Sequence, residues 1–315
     1  MTSWLTQYVL DPAGPQSARI EEHWWVMFWV CTAVFAAVIA AAGYGVGRGR
    51  SAASTRAAER SLRNGVAAAT AAAIAILFAL MISGLVTGRA IASLSSQNAL
   101  VVEIVGHQWW WQITYADAQP SLRVTTANEL HLPTGRPIAL LLKSGDVIHS
   151  FWIPNVHGKM DLIPGRQTSL LLQVDRAGQY RGQCAEFCGA QHAHMALGVT
   201  AEPPDAFERW ISAQRRASPP PTDGEAARGR ALFERSSCVL CHTIRGTNAG
   251  ARVGPDLTHV ATRGTIAAGA LPNTPDNLSR WIADPQGIKP GSRMPATPLA
   301  AEDLRALVNY LGTLK

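Results

Sequence analysis

The sequence predicts a membrane protein of several domains, in which a hairpin of two transmembrane helices precedes an all-β sandwich and an all-α domain. Two long apolar runs near the start of the chain predict the helices. Short apolar runs separated by Gly, Pro, Asn and Asp follow them and are typical of a β-sandwich. A proline-rich segment then precedes a last stretch with helix-like patterns. The 315 residues are enough for two small domains besides the membrane segments.

The two apolar runs lie within residues 23–88, at about 24–44 and 66–86. Each has roughly the ~20 residues that an α-helix needs to span a bilayer. Trp24 and Tyr44 lie near the ends of the first run, where aromatic side chains favour the membrane interface. We therefore expect both runs to be transmembrane helices.

The segment between the two runs is rich in arginine. Its charged residues are Arg48, Arg50, Arg56, Glu59, Arg60 and Arg63. Because basic loops stay on the cytoplasmic side, both termini and everything after residue 88 are predicted to lie on the other side. Residues 1–22 form a short polar N-terminal tail without the pattern of a signal peptide, and we expect no cleaved signal.

Residues 99–203 are predicted to form the β-sandwich, here called the β domain. We expect strands at residues 100–105, 137–142 and 169–174, where apolar residues dominate. Loops at one end of such a scaffold commonly carry functional residues. Residues 204–222 are predicted to be a linker, in which residues 204–214 are expected to form a short helix and residues 217–222, Ala-Ser-Pro-Pro-Pro-Thr, have the composition of a tether.

Soft metal ligands are concentrated in one stretch of the β domain. They are Cys184, Cys188, His192, His194 and Met195. Thiolate, thioether and imidazole together favour copper over calcium or magnesium. Such a density of ligands predicts a metal site rather than a chance cluster.

The spacing of these ligands allows two arrangements of copper. Cys188, His192 and Met195 have the order of a loop that binds a single copper ion, with His149 as the fourth ligand from a distant strand. The additional thiol of Cys184 allows two bridging thiolates and therefore a pair of ions. A disulfide between the thiols would leave the imidazole and thioether unexplained, and zinc has no use for a thioether.

The C-terminal domain, residues 223–315, contains the pentapeptide Cys-Val-Leu-Cys-His, the signature of covalent haem c attachment. Cys238 and Cys241 would bind the haem covalently, and His242 would coordinate its iron. Met294 is the only methionine after this motif, and His259 is the rival for the sixth iron ligand. Met/His ligation raises the potential, as electron transfer toward copper requires, so we favour Met294.

The soft-ligand stretch and its surroundings resemble subunit II of the haem–copper cytochrome c oxidases, a family with a dinuclear copper A centre. The resemblance extends from about residue 20 to 203 and includes segments 106–111, 161–166 and 182–189. It implies a cupredoxin fold for the β domain. The C-terminal domain is similar in size and motifs to a small class I cytochrome c.

The resemblance also implies roles for individual residues. The expected ligands of the copper pair are His149, Cys184, Glu186 through its backbone carbonyl, Cys188, His192 and Met195. Trp109 corresponds to the tryptophan through which electrons enter, whereas Trp110 and Trp111 are expected to be packing residues. The carboxylate of Glu186 would be free to bind magnesium at a subunit boundary. His107, His157 and His194 match no ligand.

Together these features predict the electron-transfer subunit of a respiratory terminal oxidase in a bacterial plasma membrane. Electrons from cytochrome c or another donor would pass through haem c and the copper pair to catalytic subunit I, where oxygen is reduced with proton translocation. A copper A subunit of a nitric oxide reductase and a membrane-tethered copper-delivery protein are the alternatives. The formal charge of +6 gives no reason to expect nucleic acid as a partner.

Overall fold

The computed structural model describes residues 6–47 and 56–315, with the side chains of 56–58 left out. These residues divide into two compact units. One consists of residues 18–94, and the other combines the start of the chain, as far as Ser17, with residues 95–315.

The unit of residues 18–94 is a pair of long helices, α1 (Pro15–Gly47) and α2 (Arg56–Ala92). Their apolar windows have mean hydropathies of 2.2 and 2.4, and both helices are long enough to cross a membrane. His23 and Ser83 join the two helices through a contact of 3.1 Å between Nδ1 and Oγ. In the arginine-rich segment, Arg48 and Arg50 lie outside the described residues. The two predicted apolar helices are confirmed, and both extend beyond the apolar runs into polar sequence.

The β domain is a sandwich, as predicted. Between Leu100 and Glu202, all of which the structure describes, ten strands form two five-stranded sheets. The strands are β1 (Leu100–His107), β2 (Trp110–Tyr115), β3 (Val124–Ala127), β4 (Glu129–Pro133), β5 (Ile138–Ser144), β6 (His149–Trp152), β7 (Met160–Leu162), β8 (Thr168–Leu172), β9 (Gly178–Cys184) and β10 (Ala196–Glu202). The orders are β3-β2-β1-β5-β8 and β4-β10-β9-β6-β7.

Apolar side chains from the two sheets form the core of the β domain. Strand β2 alternates between buried and half-buried positions, as expected when only one face of a strand points inward. Trp111, Ile113, Leu140 and Phe151 are completely buried there. This core fixes β6 and β9, the strands that carry His149 and Cys184.

The first half of the predicted linker is a helix that belongs to the β domain. Helix α3 (Pro204–Gln214) buries Phe207 and Ile211 against the core of the sandwich. Trp210 stacks on the ring of His131, with centroids 4.0 Å apart. The short helix expected at residues 204–214 is thus present, and its buried face packs on the sandwich.

The described part of the N-terminal tail also packs on the β domain. The backbone amide of Thr6 donates to the carbonyl of Gln179 at 3.1 Å. Asn155 accepts a hydrogen bond from the amide of Tyr8 through Oδ1 at 3.1 Å. A side chain at Gly14 would lie 2.1 Å from the carbonyl oxygen of Gln173, so only glycine fits there. The polar composition of this segment does not reveal that backbone hydrogen bonds fix it.

The C-terminal domain is helical, with a short two-stranded sheet. Its elements are α4 (Gly224–Arg235), β11 (Thr265–Ile266), β12 (Leu271–Pro272), α5 (Pro275–Ala283), α6 (Pro285–Ile288) and α7 (Ala301–Thr313). Asp223 caps α4 by accepting a hydrogen bond from the amide of Ala226 at 2.7 Å. Phe233 of α4 packs against Tyr310 of α7 in the core. This pair of helices brings the two ends of the domain together.

Candidate metal and haem sites

The predicted metal ligands converge at one end of the β domain. His149 begins β6, and Cys184 ends the neighbouring strand β9. The loop between β9 and β10 closes on itself, because the amide of Cys184 donates to the carbonyl of Met195 at 2.9 Å. Cys188 and His192 lie within this closed loop. The loop therefore returns to the place where it starts and faces His149.

Sulfur, nitrogen and oxygen atoms in this loop surround a common centre. The Sγ atoms of Cys184 and Cys188 are 3.7 Å apart. The Sγ of Cys184 lies 3.9 Å from Nδ1 of His149 and 3.2 Å from the carbonyl oxygen of Glu186. All of these groups are buried or half-buried.

The second thiol has its own pair of neighbours. The Sγ of Cys188 lies 3.6 Å from Nδ1 of His192 and 3.9 Å from Sδ of Met195. Both thiols are free, and their separation far exceeds the ~2.05 Å of a disulfide bond. The structure thus brings all six predicted ligand residues together, with the two sulfurs at the centre. An imidazole and a carbonyl lie beside the thiol of Cys184, and an imidazole and a thioether lie beside that of Cys188. This donor set fits a pair of copper ions.

The two thiols are electrostatically distinct without a metal. The hydrogen bond from Cys188 lowers the pKa of Cys184 to about 3. The same bond, together with burial, raises the pKa of Cys188. Binding of a metal ion by both thiolates would release the proton that remains.

Asp146 orients the imidazole of His149 and was missed by sequence reasoning. Its Oδ1 lies 2.8 Å from Nε2 of His149, which leaves Nδ1 directed at Cys184. Burial acts to lower the pKa of His149, but hydrogen bonds with Cys184 and Asp146 outweigh it and raise that pKa. Asp146 also accepts a hydrogen bond from the amide of Gln108 at 2.7 Å. The only signal in the sequence is an acidic residue three positions before the histidine.

Trp109 lies beside the ligand loop, in the turn between β1 and β2. Its indole Nε1 donates to the carbonyl of Cys188 at 2.9 Å, and Gln108 donates to the same oxygen at 2.8 Å. Its exposed fraction is 8%. Gly291 of the C-terminal domain covers the ring, since a Cβ there would lie 3.3 Å from Cη2 of Trp109. The indole thus lies between a ligand residue and the other domain.

Trp110 and Trp111 have different surroundings. Trp110 stacks on His107 with ring centroids 4.6 Å apart. Trp111 is completely buried, and its ring lies edge-on to His149 at 6.1 Å. Its Nε1 donates to the carbonyl of Met195 at 3.4 Å. Trp111 therefore packs directly behind two of the predicted ligands, a contact that the alternation along a strand does not reveal.

The histidines that match no ligand make other contacts. His194 pairs with Oε1 of Gln191 at 2.7 Å. His157 lies 3.3 Å from the carbonyl of Gly158, and burial lowers its pKa. The carboxylate of Glu186 is directed toward solvent, 3.8 Å from Nζ of Lys159. Magnesium binding by this carboxylate stays a prediction.

The haem-attachment motif lies at the end of α4 in a short 3₁₀ turn, Ser237–Leu240. Cys238 and Cys241 are free thiols and half-buried. Nδ1 of His242 lies 2.7 Å from the carbonyl of Pro255, which leaves Nε2 available for iron. A Cβ at Gly254 would lie 2.8 Å from Cε1 of His242, so glycine allows this close approach.

The two candidates for the sixth iron ligand differ in their surroundings. Met294 is half-buried and packs against the apolar core of the C-terminal domain. His259 has an exposed fraction of 7%, and its Nε2 lies 3.1 Å from the carbonyl of Arg216 in the linker. Partly buried apolar side chains pack against the same core as Cys238 and Met294 and could cover a haem ring bound by the motif. They are Val239, Leu257, Leu271, Trp281, Leu299 and Leu304. The residues present therefore fit a haem.

A soft-ligand loop on a cupredoxin-like sandwich, followed by a helical domain with a C-x-x-C-H motif, defines a class of membrane-attached redox proteins. Residues 118–202 match the family described as cytochrome c oxidase subunit II, periplasmic domain. Residues 226–315 match the cytochrome c family. The chain is thus similar, domain by domain, to these two families, which confirms the resemblance and implies copper in the first domain and haem in the second.

Curated relatives agree with this assignment. The chain is 38% identical over 219 residues to cytochrome c oxidase subunit 2 of Alkalihalophilus pseudofirmus, a match that covers 69% of this chain and 62% of the relative. It is 36% identical over 231 residues to the protein of the same name from Bacillus sp. PS3, covering 70% of this chain and 63% of the relative. The chain thus matches somewhat under two thirds of the length of these relatives.

Among solved structures, the periplasmic domain of subunit II of cytochrome oxidase from Bradyrhizobium japonicum is 27% identical. It matches 37% of this chain and 93% of its own, with a TM-score of 0.35. Together with the two apolar helices, the subunit II relatives indicate a membrane protein with a periplasmic domain.

Proposed function

We propose that this chain is the electron-transfer subunit of a respiratory terminal oxidase. It would accept electrons from cytochrome c or another external donor and deliver them to a membrane-embedded catalytic subunit that reduces oxygen. The observation that carries the proposal is the convergence of two thiols with four further donors, beneath an indole that the C-terminal domain covers. When bound, copper and haem would supply one-electron redox chemistry at these two places.

The residues of the ligand loop would divide a dinuclear copper centre between them. Cys184 and Cys188 would bridge both ions. His149 and Met195 would complete one ion. The carbonyl of Glu186 and the imidazole of His192 would complete the other. The distances support two bridging thiolates, because each thiol has one proposed ligand of either ion beside it. The burial of the sulfurs argues against a copper-delivery protein with exchangeable metal.

The C-terminal domain would hold one haem c. Cys238 and Cys241 would form the covalent bonds, while His242 and Met294 would be the axial ligands. The contact between His242 and Pro255 supports its role by fixing the orientation of the ring. The contact of His259 with the linker carbonyl favours Met294 as the second ligand, because it engages the rival imidazole elsewhere.

Trp109 would be the route between the two domains. Its ring lies against Gly291 on one side, and its Nε1 donates to the backbone of Cys188 on the other. The half-exposed carboxylate of Glu186 would lie toward the catalytic subunit, where a magnesium ion could bind it. Each of these roles follows from the subunit II resemblance, supported by the contacts above.

The test is the metal content and spectrum of the full-length chain purified in detergent. We expect two copper ions and one covalent haem per chain, and an electron paramagnetic resonance signal of one unpaired electron shared by two coppers. Cys184→Ser should abolish that signal and electron transfer to a copurified catalytic subunit. Cys31→Ser, in helix α1, is the matched control and should change neither. One copper per chain with a single-ion spectrum would contradict the dinuclear centre.

A further inference from the structure

A buried lysine connects the two soluble domains next to Trp109. Lys289 follows α6 in the C-terminal domain, and its exposed fraction is 3%. Its Nζ lies 2.7 Å from the carbonyl oxygen of Trp109 and 2.7 Å from that of His194, both in the β domain. A third carbonyl, that of Ala267 in its own domain, lies at 2.9 Å. An ammonium has three donors, so each carbonyl can receive one hydrogen bond.

The chain that follows Lys289 lies on the indole. Gly291 has a φ of +83°, a conformation that favours glycine, and approaches the ring of Trp109 closely. The same loop reaches Met294 three residues later. Lys289 therefore fixes the start of the segment that runs over the indole at Gly291 and ends at Met294, the predicted axial ligand.

Two other contacts between the domains involve the loop itself. Gln191 donates to the carbonyl of Pro290 at 3.0 Å, and the guanidinium of Arg293 lies 3.8 Å from the carboxylate of Asp146.

Further contacts between the domains lie at a distance from this loop in sequence and would persist without it. The amide of Gly264 donates to Oε1 of Glu129 at 2.6 Å. The guanidinium of Arg245 donates to the carbonyls of Gln214 and Arg215 at the end of α3. These contacts hold the domains together without touching Trp109. Lys289 differs from all of these because one buried ammonium makes three hydrogen bonds, two of them to the carbonyls of Trp109 and His194.

Stability alone is a poor reason to bury a lysine. Taking an ammonium out of water is costly unless its hydrogen bonds are satisfied, and fully buried lysines are rare. Burial lowers the pKa of Lys289 to about 7. An apolar residue would avoid this cost, but it would leave three carbonyls without their donor. The arrangement therefore favours one fixed geometry of the loop.

We propose that Lys289 is a positioning residue that holds the C-terminal domain closed over Trp109 and so fixes the path of electrons between the two domains. The part that concerns electrons rests on the proposed function. Because the closed loop leaves Trp109 only 8% exposed, an external donor protein cannot contact this indole. Such a donor must therefore dock on the C-terminal domain.

The first test measures the accessibility of lysines in the wild-type, full-length protein. Brief acylation followed by mass spectrometry should modify Lys289 at least about tenfold more slowly than Lys315, which is exposed at the C-terminus. This measurement needs no variant and no electron transfer. Equal modification of the two lysines would overturn the proposal, whether or not the cofactors behave as expected.

The second test compares Lys289→Met with the matched control Lys315→Met. In the Lys289 variant, hydrogen exchange of peptides containing Trp109 and residues 286–294 should accelerate at least about tenfold. Flash-initiated transfer from haem to copper should slow by a similar factor, while haem and copper spectra stay unchanged. A purely structural role would not change the rate in a protein with intact spectra. Unchanged exchange and an unchanged rate would exclude the positioning role.

The two tests separate this proposal from the proposed function. If the haem of the wild-type protein does not reduce its copper, the proposed electron-transfer function is wrong. Acylation then still tests whether Lys289 is inaccessible to the reagent. If Lys289→Met does not assemble its cofactors, wild-type acylation decides alone, because an accessible Lys289 cannot hold the loop.

Discussion

At the residue scale, the ligand loop combines side chains that can bind copper with polar side chains, Asp146 and Lys289, that hold its surroundings in place. Thiol, imidazole and thioether groups at fixed spacing can be recognised as a copper site from the sequence, because few other residues can bind copper. Asp146 and Lys289 escape such reasoning, since any surface carboxylate or lysine looks the same in a sequence. Their importance depends on the group that the fold brings next to them. Asp146 contacts an imidazole 3 residues away in the sequence, and Lys289 donates to the carbonyl of Trp109, 180 residues away.

The contact between Asp146 and His149 predicts an effect on copper affinity. Asp146→Asn keeps one acceptor oxygen, replaces the other with an amide that can only donate, and removes the negative charge beside the imidazole. Loss of such a partner typically weakens metal binding about 10–100-fold, and we expect about tenfold here. Competition with a copper chelator measures the affinity. Asp205→Asn, at an exposed site in α3, is the control, and equal affinities for both variants would exclude this role of Asp146.

The position of Trp109 predicts a specific effect on electron transfer. Trp109→Gln should leave both cofactors bound and reducible by small dyes. Transfer from haem to copper should slow by at least about tenfold, or roughly 1.4 kcal/mol of barrier, because the ring between the domains is lost. Trp110→Phe is the control, since Trp110 stacks on His107 instead. Flash photolysis measures the rate, and an unaltered rate in the Trp109 variant would move the route elsewhere.

The assignment of the sixth iron ligand can be tested by substitution. Met294→Ala should leave the haem covalently bound through Cys238 and Cys241. It should remove the sulfur-to-iron charge-transfer band and lower the potential, because thioether ligation raises it. Absorption spectroscopy and redox titration measure both effects. His259→Ala should retain the band, as its ring contacts the linker; loss of low-spin character in that variant instead would identify His259 as the ligand.

At the scale of elements, the sequence predicts types better than boundaries. The expected strands at residues 100–105, 137–142 and 169–174 correspond to β1, β5 and β8 within a few residues, because apolar runs between turns mark buried strands. The short helix expected at residues 204–214 corresponds to α3, but its packing on the sandwich was not predicted, because the partner of its buried face lies in distant strands. Hydrogen bonds to distant strands likewise fix the N-terminal segment, and its own polar residues carry no sign of them.

The crossing of α4 and α7 predicts which glycine the C-terminal domain requires. A Cβ at Gly229 would lie 2.0 Å from the carbonyl oxygen of Ala306 and 2.7 Å from Cβ of Tyr310. Gly229→Ala should therefore destabilise this domain by at least about 2 kcal/mol, because the helices must move apart. Denaturant unfolding followed at the haem absorption band measures this change in free energy.

Gly224, in the first turn of α4, provides the matched control for that substitution. A Cβ at Gly224 meets no atom within 4 Å. Gly224→Ala should change the free energy of unfolding by no more than about 0.5 kcal/mol. If both variants unfold at the same denaturant concentration, close packing at Gly229 does not limit the stability of the domain.

At the scale of the whole molecule, the sequence predicts the order of the helices and domains along the chain, but it does not predict the contacts between the two soluble domains. Composition predicts a proline-rich tether between two independent soluble domains, yet these domains form one compact unit. Contacts such as that of the Ser218 amide with the carbonyl of Arg245, at 3.2 Å, join residues of the linker itself to the C-terminal domain. Each single residue in this interface is unremarkable by type, so only the fold reveals how closely the domains pack.

The last prediction concerns the side of the membrane on which each segment lies. Arginine in the segment between the apolar helices predicts a cytoplasmic position for it, and Pro219 and Pro220 of the linker, which are exposed, should face outward. A protease site inserted after Pro220 should be cut by protease added to intact spheroplasts. The same site inserted between Ser51 and Ala52 should be cut only after the membrane is permeabilised, because a charged loop is not translocated. Immunoblots with tags at the C-terminus distinguish the fragments. If intact spheroplasts are cleaved at the Ser51 insertion and not at the Pro220 insertion, the topology is the opposite of the predicted one, and both redox sites lie in the cytoplasm.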